Sequence, residues 1–337
     1  MLDAICLENF GPLQSLQWSG LGRINLVLGE NGTGKSFLLK ALYTAIRTLE
    51  EYRRGDEQST AAEILAQKLY WTFQCEKIGD LVTKGADASL SLSIDVDKQN
   101  FSYKFGKDTT KQITSLQNEV APRSSNSIYL PAKEVLSIHA IILKSRETDK
   151  SFGFDDTYVD LARALRQAPR QGKNYKEFAD ARKNLMDLIG GRIEHDEDSG
   201  RWIFRKGNQR FAIGVTAEGV KKIAILDTLL SNRYLDTHSI VFIDEPESAL
   251  HPKAISELME IIVLLAKSGI QFFLASHSYF VVKKLFLLSQ QYSMPIPVLS
   301  AEPQGWKKDD LLHGIPENSI INESISLYKE EVGLSLV

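Results

Sequence analysis

Gly29-Glu30-Asn31-Gly32-Thr33-Gly34-Lys35-Ser36 has the composition of a loop that holds phosphate, and the residues flanking it decide the fold. Before it, Ile24-Asn25-Leu26-Val27-Leu28 is an apolar run of the length of a buried strand. After it, Phe37-Leu38-Leu39-Lys40-Ala41-Leu42 has the apolar spacing of a helix. Strand, glycine-rich loop and helix, in that order, let backbone amides close on a phosphate chain. The glycines allow successive N–H groups to turn inward, and the helix start adds unpaired amides and the positive end of its dipole. The candidate binding set is Asn31, Gly32, Thr33, Gly34, Lys35, Ser36 and Phe37. Within it Lys35 supplies a cation between the terminal phosphates, and Ser36 supplies a hydroxyl for Mg²⁺.

Far along the chain, Ser239-Ile240-Val241-Phe242-Ile243-Asp244-Glu245-Pro246 is a second apolar run, ending in two carboxylates. A strand inside a parallel sheet is buried on both faces, and its carboxyl end opens where ligands bind. Asp244 is therefore expected beside Ser36 as the second Mg²⁺ ligand. Glu245, one residue on, is expected to orient and deprotonate a water. A third run, Ile270-Gln271-Phe272-Phe273-Leu274-Ala275-Ser276-His277-Ser278, follows after a single helix spanning 252–268. It places His277 where a γ-phosphate would lie.

The segments GENGTGKS, SIVFIDEPESALHP and FFLASHS together resemble the ATP-binding cassette class, in its SMC-like and OLD-like (overcoming-lysogenisation-defect) bacterial branch. Leu7-Glu8-Asn9-Phe10-Gly11-Pro12 resembles the first-strand segment of such heads. The resemblance implies an α/β fold, a P-loop NTPase of the ABC-ATPase head type, with a mixed sheet flanked by helices. It also implies ATP and Mg²⁺ as cofactors, and a homodimer that closes around two ATP molecules. Lys35, Glu245 and His277 would then be the catalytic residues, and Ser248-Ala249-Leu250-His251 the loop that crosses the dimer interface. The signature segment departs from the family pattern of a serine followed by glycines. Its counterpart is Val215-Thr216-Ala217-Glu218-Gly219-Val220-Lys221-Lys222, leading into a helix over 223–231. Thr216, Glu218 and Gly219 are the candidates for contacting the partner's ATP, with Thr216 serving if the alignment slips by one residue. Lys133 or Glu134, after Tyr129-Leu130-Pro131-Ala132, is the candidate link from the Mg²⁺ site to the helical lobe. Asn9 and Phe10 could flank the adenine, although a first-strand Phe reads more simply as core.

The remaining composition sets bounds. The chain has 337 residues, enough for one large or two intimate domains. Its 40 basic and 43 acidic residues nearly balance, which argues against a wholesale nucleic-acid coat. The 2 cysteines lack metal or disulfide-framework spacing and suit a reducing cytosol, so a cytoplasmic protein without a membrane segment is expected. The motifs require residues 1–50 and 211–337 to fold together as a core lobe, with 51–210 as an inserted lobe of strands and helices. The insertion lacks heptads for a coiled coil and shows alternating strands at 89–94 and 101–105, then a hairpin turning at Asp198-Ser199-Gly200. The acids Glu194, Asp196, Glu197 and Asp198 read as that turn's solvated face. Between Leu161 and Lys183, seven basic residues (Arg163, Arg166, Arg170, Lys173, Lys176, Arg182, Lys183) face two acids. That stretch is the candidate surface for DNA, RNA or an acidic partner. After His277 the tail is too short for the TOPRIM nuclease of OLD-type proteins, so any nuclease would be a separate chain.

Several functions fit these readings. The leading one is an ATPase that dimerises on ATP and regulates a separate effector, a nuclease or toxin, in bacterial anti-phage defence. The alternatives are a RecF-like DNA-repair ATPase and an ATP-bound scaffold with little turnover. A transporter half is disfavoured by the inserted strands and the missing glycine-rich signature.

Overall fold

The computed structural model describes residues 1–167, 176–196 and 199–335. The chain opens with a hairpin of β1 (Leu2–Phe10) and β2 (Leu13–Ser19), then β3 (Ile24–Leu28), which runs through the glycine loop into α1 (Lys35–Glu51). Next come α2 (Ala61–Phe73), β4 (Leu90–Val96), β5 (Gln99–Phe105), β6 (Ser115–Asn118) and β7 (Ile128–Leu130). A mostly helical stretch follows: α3 (His139–Glu147), α4 (Asp156–Arg166) and α5 (Ala179–Ile189), then β8 (Arg192–Asp196), β9 (Arg201–Lys206) and β10 (Gln209–Ala212). The last part is α6 (Glu218–Ser231), β11 (Ile240–Asp244), α7 (Pro252–Lys267), β12 (Gln271–Ser276), α8 (Tyr279–Tyr292), β13 (Pro297–Glu302), β14 (Gly305–Asp310) and α9 (Ser319–Ser335).

The central sheet has six strands in the order β14-β13-β3-β12-β11-β7. It is parallel from β13 to β7, and β14 is antiparallel at the edge. β3, β11 and β12 are buried at every position, which is why each reads as an unbroken apolar run. Alternate residues serve two cores. Leu26, Val241 and Phe272 face a cluster built with α4 to α8, whereas Val27, Phe242 and Phe273 face α1, α2 and a second sheet. That second sheet is antiparallel, in the order β2-β1-β4-β5-β6. Leu38, Leu42 and Ile46 of α1 share a core with Ile5 and Leu7 of β1 and Leu92 and Ile94 of β4, so α1 is enclosed and rigid.

The segment 51–210 supplies strands to both main sheets. β4 pairs with β1 along Leu2–Glu8, giving the first strand its second neighbour, and β7 joins the central sheet beside β11. α2 lines the same core as α1. Among the described residues, α3 to α5 pack beside the central sheet and the strands β10-β9-β8 form a separate small one. A buried ionic network ties that part to the core. Lys40 of α1 meets Asp155 at 2.6 Å, Tyr43 donates to Asp160 at 2.9 Å, and Lys68 of α2 reaches Asp160 at 3.1 Å.

Other local expectations changed in detail. The helix expected from residue 223 starts at Glu218, because Gly219 and the four residues after it are accommodated in its first turns. β14, Gly-Trp-Lys-Lys-Asp-Asp, is an edge strand whose polar residues carry no strong strand signal. Within the basic stretch, Arg163 pairs with Glu147 at 3.1 Å and Arg182 with Asp227 at 3.0 Å, while Arg166, Lys176 and Lys183 are exposed. Arg170 and Lys173 lie outside the described residues, as do Glu197 and Asp198 of the hairpin turn. Glu194 is taken up by Arg192 and Arg205, and Asp196 by Arg210. Among the described residues no acidic or histidine cluster has metal-site geometry, and no helix is long and apolar enough to cross a membrane.

Candidate nucleotide-binding site

The site forms where β3, β12 and β11, adjacent and parallel, present their carboxyl ends together. The glycine loop leaves β3 and reaches α1 through Gly34, whose φ of +93° is open to glycine and closed to most other residues. A Cβ there would also come within 3.0 Å of Leu13 Cδ2. The first helical hydrogen bond of α1 runs from the Leu38 N–H to the Gly34 carbonyl, leaving the amides of Lys35, Ser36 and Phe37 without helical acceptors. These amides, on a rigid helix, suit a phosphate group.

Lys35 folds back over the loop, donating to the carbonyls of Gly29 at 2.8 Å and Glu30 at 2.7 Å. Burial pulls its pKa below the ordinary lysine value, an effect opposed by the nearby Asp244 and Glu245 carboxylates. Thr33 closes the loop through its hydroxyl to the Glu30 carbonyl at 2.9 Å, while Asn31 and Gly32 are exposed at its tip. Phe37 contributes its backbone and not its ring to this loop. Its ring packs edge-on against Phe10 at 5.3 Å and against Phe73 at 4.6 Å, so only its backbone can face phosphate. Phe10 is fully buried core, and the Asn9 side chain donates to the Ser89 carbonyl at 3.3 Å.

Ser36 and Asp244, 208 residues apart in sequence, meet at 3.0 Å from Oγ to Oδ1. The other Asp244 oxygen accepts from the buried Tyr129 hydroxyl at 3.1 Å. Burial, followed by the Asp244 charge, pushes the Tyr129 phenol well above its usual value, so it stays a donor. One hydroxyl and one carboxylate oxygen, both hard donors, fit Mg²⁺ when phosphate oxygens and waters complete its shell.

Glu245 adopts φ +47°, a strained conformation for a residue with a side chain. Three hydrogen bonds hold it there: its N–H donates to the Ala275 carbonyl at 2.9 Å, and its carbonyl accepts from the Ser248 N–H at 3.0 Å and from Lys222 Nζ. Lys222 also reaches the Ala132 carbonyl at 3.4 Å. It is buried against three carboxylates, and the loss of solvent brings its pKa down to about 8. Glu245 Oε1 lies 3.7 Å from His277 Nδ1, which places the two expected catalytic side chains side by side. Glu247 approaches the same ring nitrogen at 3.8 Å and accepts from the Ser276 hydroxyl at 2.8 Å and the His277 N–H at 3.1 Å.

The signature candidates sit apart from this group. Gly219 lies in the first turn of α6, where an added Cβ would come within 2.7 Å of the Ala249 carbonyl and 2.8 Å of Leu250 Cδ2. Glycine is thus required for close approach to the loop 248–251. Thr216 bonds back to the Ala212 carbonyl at 3.5 Å, and Glu218 is exposed. Of the two lobe-linking candidates, Glu134 pairs with Lys221 of α6 at 3.4 Å, both side chains buried. Three residues with direct roles in this geometry escaped the sequence reading: Tyr129, Lys222 and Glu247. Each lies inside a segment singled out for another residue, and none carries a local signal for its partner.

A family profile described as "AAA domain, putative AbiEii toxin, Type IV TA system" matches residues 24–283, which takes in the glycine loop, the acidic strand and His277. An uncharacterized protein of Methanocaldococcus jannaschii is 24% identical over 161 residues, 46% of this chain and 70% of that protein. Among solved structures, an SMC head bound to the C-terminal winged-helix domain of ScpA superposes with a TM-score of 0.52 at 12% identity, covering 92% of this chain and 97% of that one. The Pyrococcus furiosus SMC head with an extended coiled coil, bound to the C-terminal domain of ScpA, gives 0.50 at 12% identity over 98% of each chain. The fold is therefore that of the SMC-head type of P-loop ATPase domain, here without a coiled coil among the described residues. With most of its length under the family profile and the phosphate loop, acidic strand and histidine strand in place, the chain belongs to the AAA-domain family of the AbiEii type.

Proposed function

We propose that this chain binds ATP with Mg²⁺ and hydrolyses it, acting as a dimer that closes on the nucleotide and controls a separate effector. The observation that carries the reading is the convergence of Ser36, Asp244, Glu245 and His277 at the ends of three adjacent parallel strands, beside the glycine loop. Lys35 and the first amides of α1 hold the β- and γ-phosphates. Mg²⁺, held by Ser36 and Asp244, would neutralise charge on the phosphates. Glu245 takes a proton from the attacking water, and His277 donates to a γ-phosphate oxygen. Positioning and electrostatics supply most of the acceleration in such chemistry.

The dimer reading is supported by the free amides at the start of α6 and by the packing of Gly219 on the loop 248–251, which puts both segments on one surface. The family description, which names a toxin and a toxin–antitoxin system, supports an effector in a bacterial defence setting. The SMC heads bound to ScpA domains support a role for this fold in holding a second protein.

A second reading, ATP as a ligand that locks a scaffold with little turnover, is favoured by Ala217 and Glu218 at the start of α6, where the family pattern has a serine and glycine. One experiment tests both: phosphate release by the purified chain, with and without double-stranded DNA, beside Lys35→Ala and Glu245→Gln. Turnover lost in both variants supports the ATPase. Tight ATP binding without turnover in the parent supports the scaffold, and no ATP binding overturns both.

A further inference from the structure

Glu247 is enclosed close to Lys222 and Lys35, yet neither ammonium comes within ion-pair distance of it. Its side chain is 9% exposed, against 35% for Glu245 and 44% for His277. No lysine or arginine forms an ion pair with it among the described residues, and its Oε2 atom is buried with no hydrogen-bond partner among them. A buried carboxylate is destabilising unless its hydrogen bonds do something specific. Here the bonds converge on one neighbour. Oε1 accepts from the His277 N–H at 3.1 Å and from the Ser276 hydroxyl at 2.8 Å, and Ser276 Oγ in turn accepts from the Ser278 N–H at 3.0 Å. The histidine is thereby bracketed on both sides, at the point where β12 ends and its ring leaves the strand. Glu247 is also tied to the water-activating residue, because the Ser248 N–H closes the intervening turn onto the Glu245 carbonyl at 3.0 Å.

We infer that Glu247 is the positioning residue for His277: it fixes the distance between the γ-phosphate contact and Glu245 without touching the nucleotide. This rests on the ATPase reading given above for His277 and Glu245. A positioning role needs the acceptor oxygen and not the charge, so Glu247→Gln and Glu247→Ala separate it from an electrostatic one.

The experiment is a double-mutant cycle on the full-length chain with Glu247→Gln, Glu247→Ala, His277→Ala and the double alanine variant. Steady-state Mg²⁺-ATP turnover, the affinity ratio for fluorescent ATP over ADP analogues, and hydrogen exchange of the His277 amide are measured for each. The glutamine variant is expected to keep kcat within about threefold. The alanine variant is expected to lose roughly ten- to a hundredfold in kcat with KM little changed, and the double variant to lose no more than His277→Ala alone. Glutamine falling as far as alanine, or alanine losses that multiply in the double variant, would overturn the inference. If no variant or parent hydrolyses ATP, the ATPase reading fails, and the ATP/ADP ratio and amide exchange still decide about Glu247. Faster exchange at His277 in alanine but not glutamine upholds it, and equal exchange in all three sinks it.

Discussion

Lys222 donates through Nζ to the backbone carbonyl of Glu245, so the helix that begins in the signature segment grips the residue proposed to activate water. The bond crosses from α6 to the end of β11 and holds a peptide that is strained at φ +47°. One buried ammonium thus couples the start of α6, proposed above to face a second copy, to the end of β11.

That ammonium has a measurable thermodynamic signature. Its folded pKa, about 8, lies below the reference 10.5, so the unfolded chain holds the proton more tightly. The stabilising contribution is therefore present above pH 10.5 and is lost as pH falls through about 8. Relative to Lys222→Met, the parent should gain up to about 3 kcal/mol of stability between those limits. Parallel thermal melts of the two proteins across this pH window check the sign: a gap in Tm that does not move means Lys222 is not buried as described.

Glu245→Gln should retain ATP binding, stabilise the ATP-bound dimer and lower turnover by roughly 10²- to 10⁴-fold, since only the proton acceptor is lost. Lys35→Ala should instead lose ATP affinity. Equilibrium binding, sedimentation and phosphate release distinguish the two. Undiminished turnover in Glu245→Gln would remove it from the mechanism.

Tyr129→Phe deletes the hydroxyl that donates to Asp244 Oδ2 while keeping the ring packed against Tyr43. Stability should change by about 1 kcal/mol or less. The Mg²⁺ concentration giving half-maximal turnover should rise by about tenfold, because the carboxylate proposed to hold the ion loses its orienting partner. A Mg²⁺ titration at fixed ATP reads this directly, and an unchanged curve would confine Tyr129 to packing.

Gly219→Ala forces a methyl group against the Ala249 carbonyl. The expected loss is about 1–3 kcal/mol of stability, as in other overpacked sites. ATP should still bind to the monomer, but ATP-dependent association should weaken, because the loop 248–251 must shift. Sedimentation with and without ATP separates this from general unfolding.

How far the sequence could be read depended on how locally each feature was encoded. β3, β11 and β12 were legible because strands covered on both faces must be apolar throughout, and the glycine loop was legible because its backbone tolerates few other residues. The meeting of Ser36 with Asp244 followed from placing those strand ends together. Pairings without a local cause were not legible. β4 completes the sheet of β1 from across most of a hundred residues, and β7 is only three residues long. Tyr129 reaches Asp244 over a separation of 115 residues, and Lys222 finds a carbonyl, which leaves no trace in sequence. The packing of the Phe37 ring was not legible either, because its partners Phe10 and Phe73 come from other elements.

The position of β3 between β12 and β13 has a consequence for synthesis. The strand that carries the glycine loop ends at Leu28, yet its two hydrogen-bonded neighbours begin only at Gln271 and Pro297. At ribosomal speeds of about 5–20 residues per second, the loop waits roughly a quarter of a minute to a minute for the strands that will flank it. The cradle gains its flanking strands only after that interval, so a bound nucleotide would act on the closing steps in the folding of this sheet and not on the opening ones.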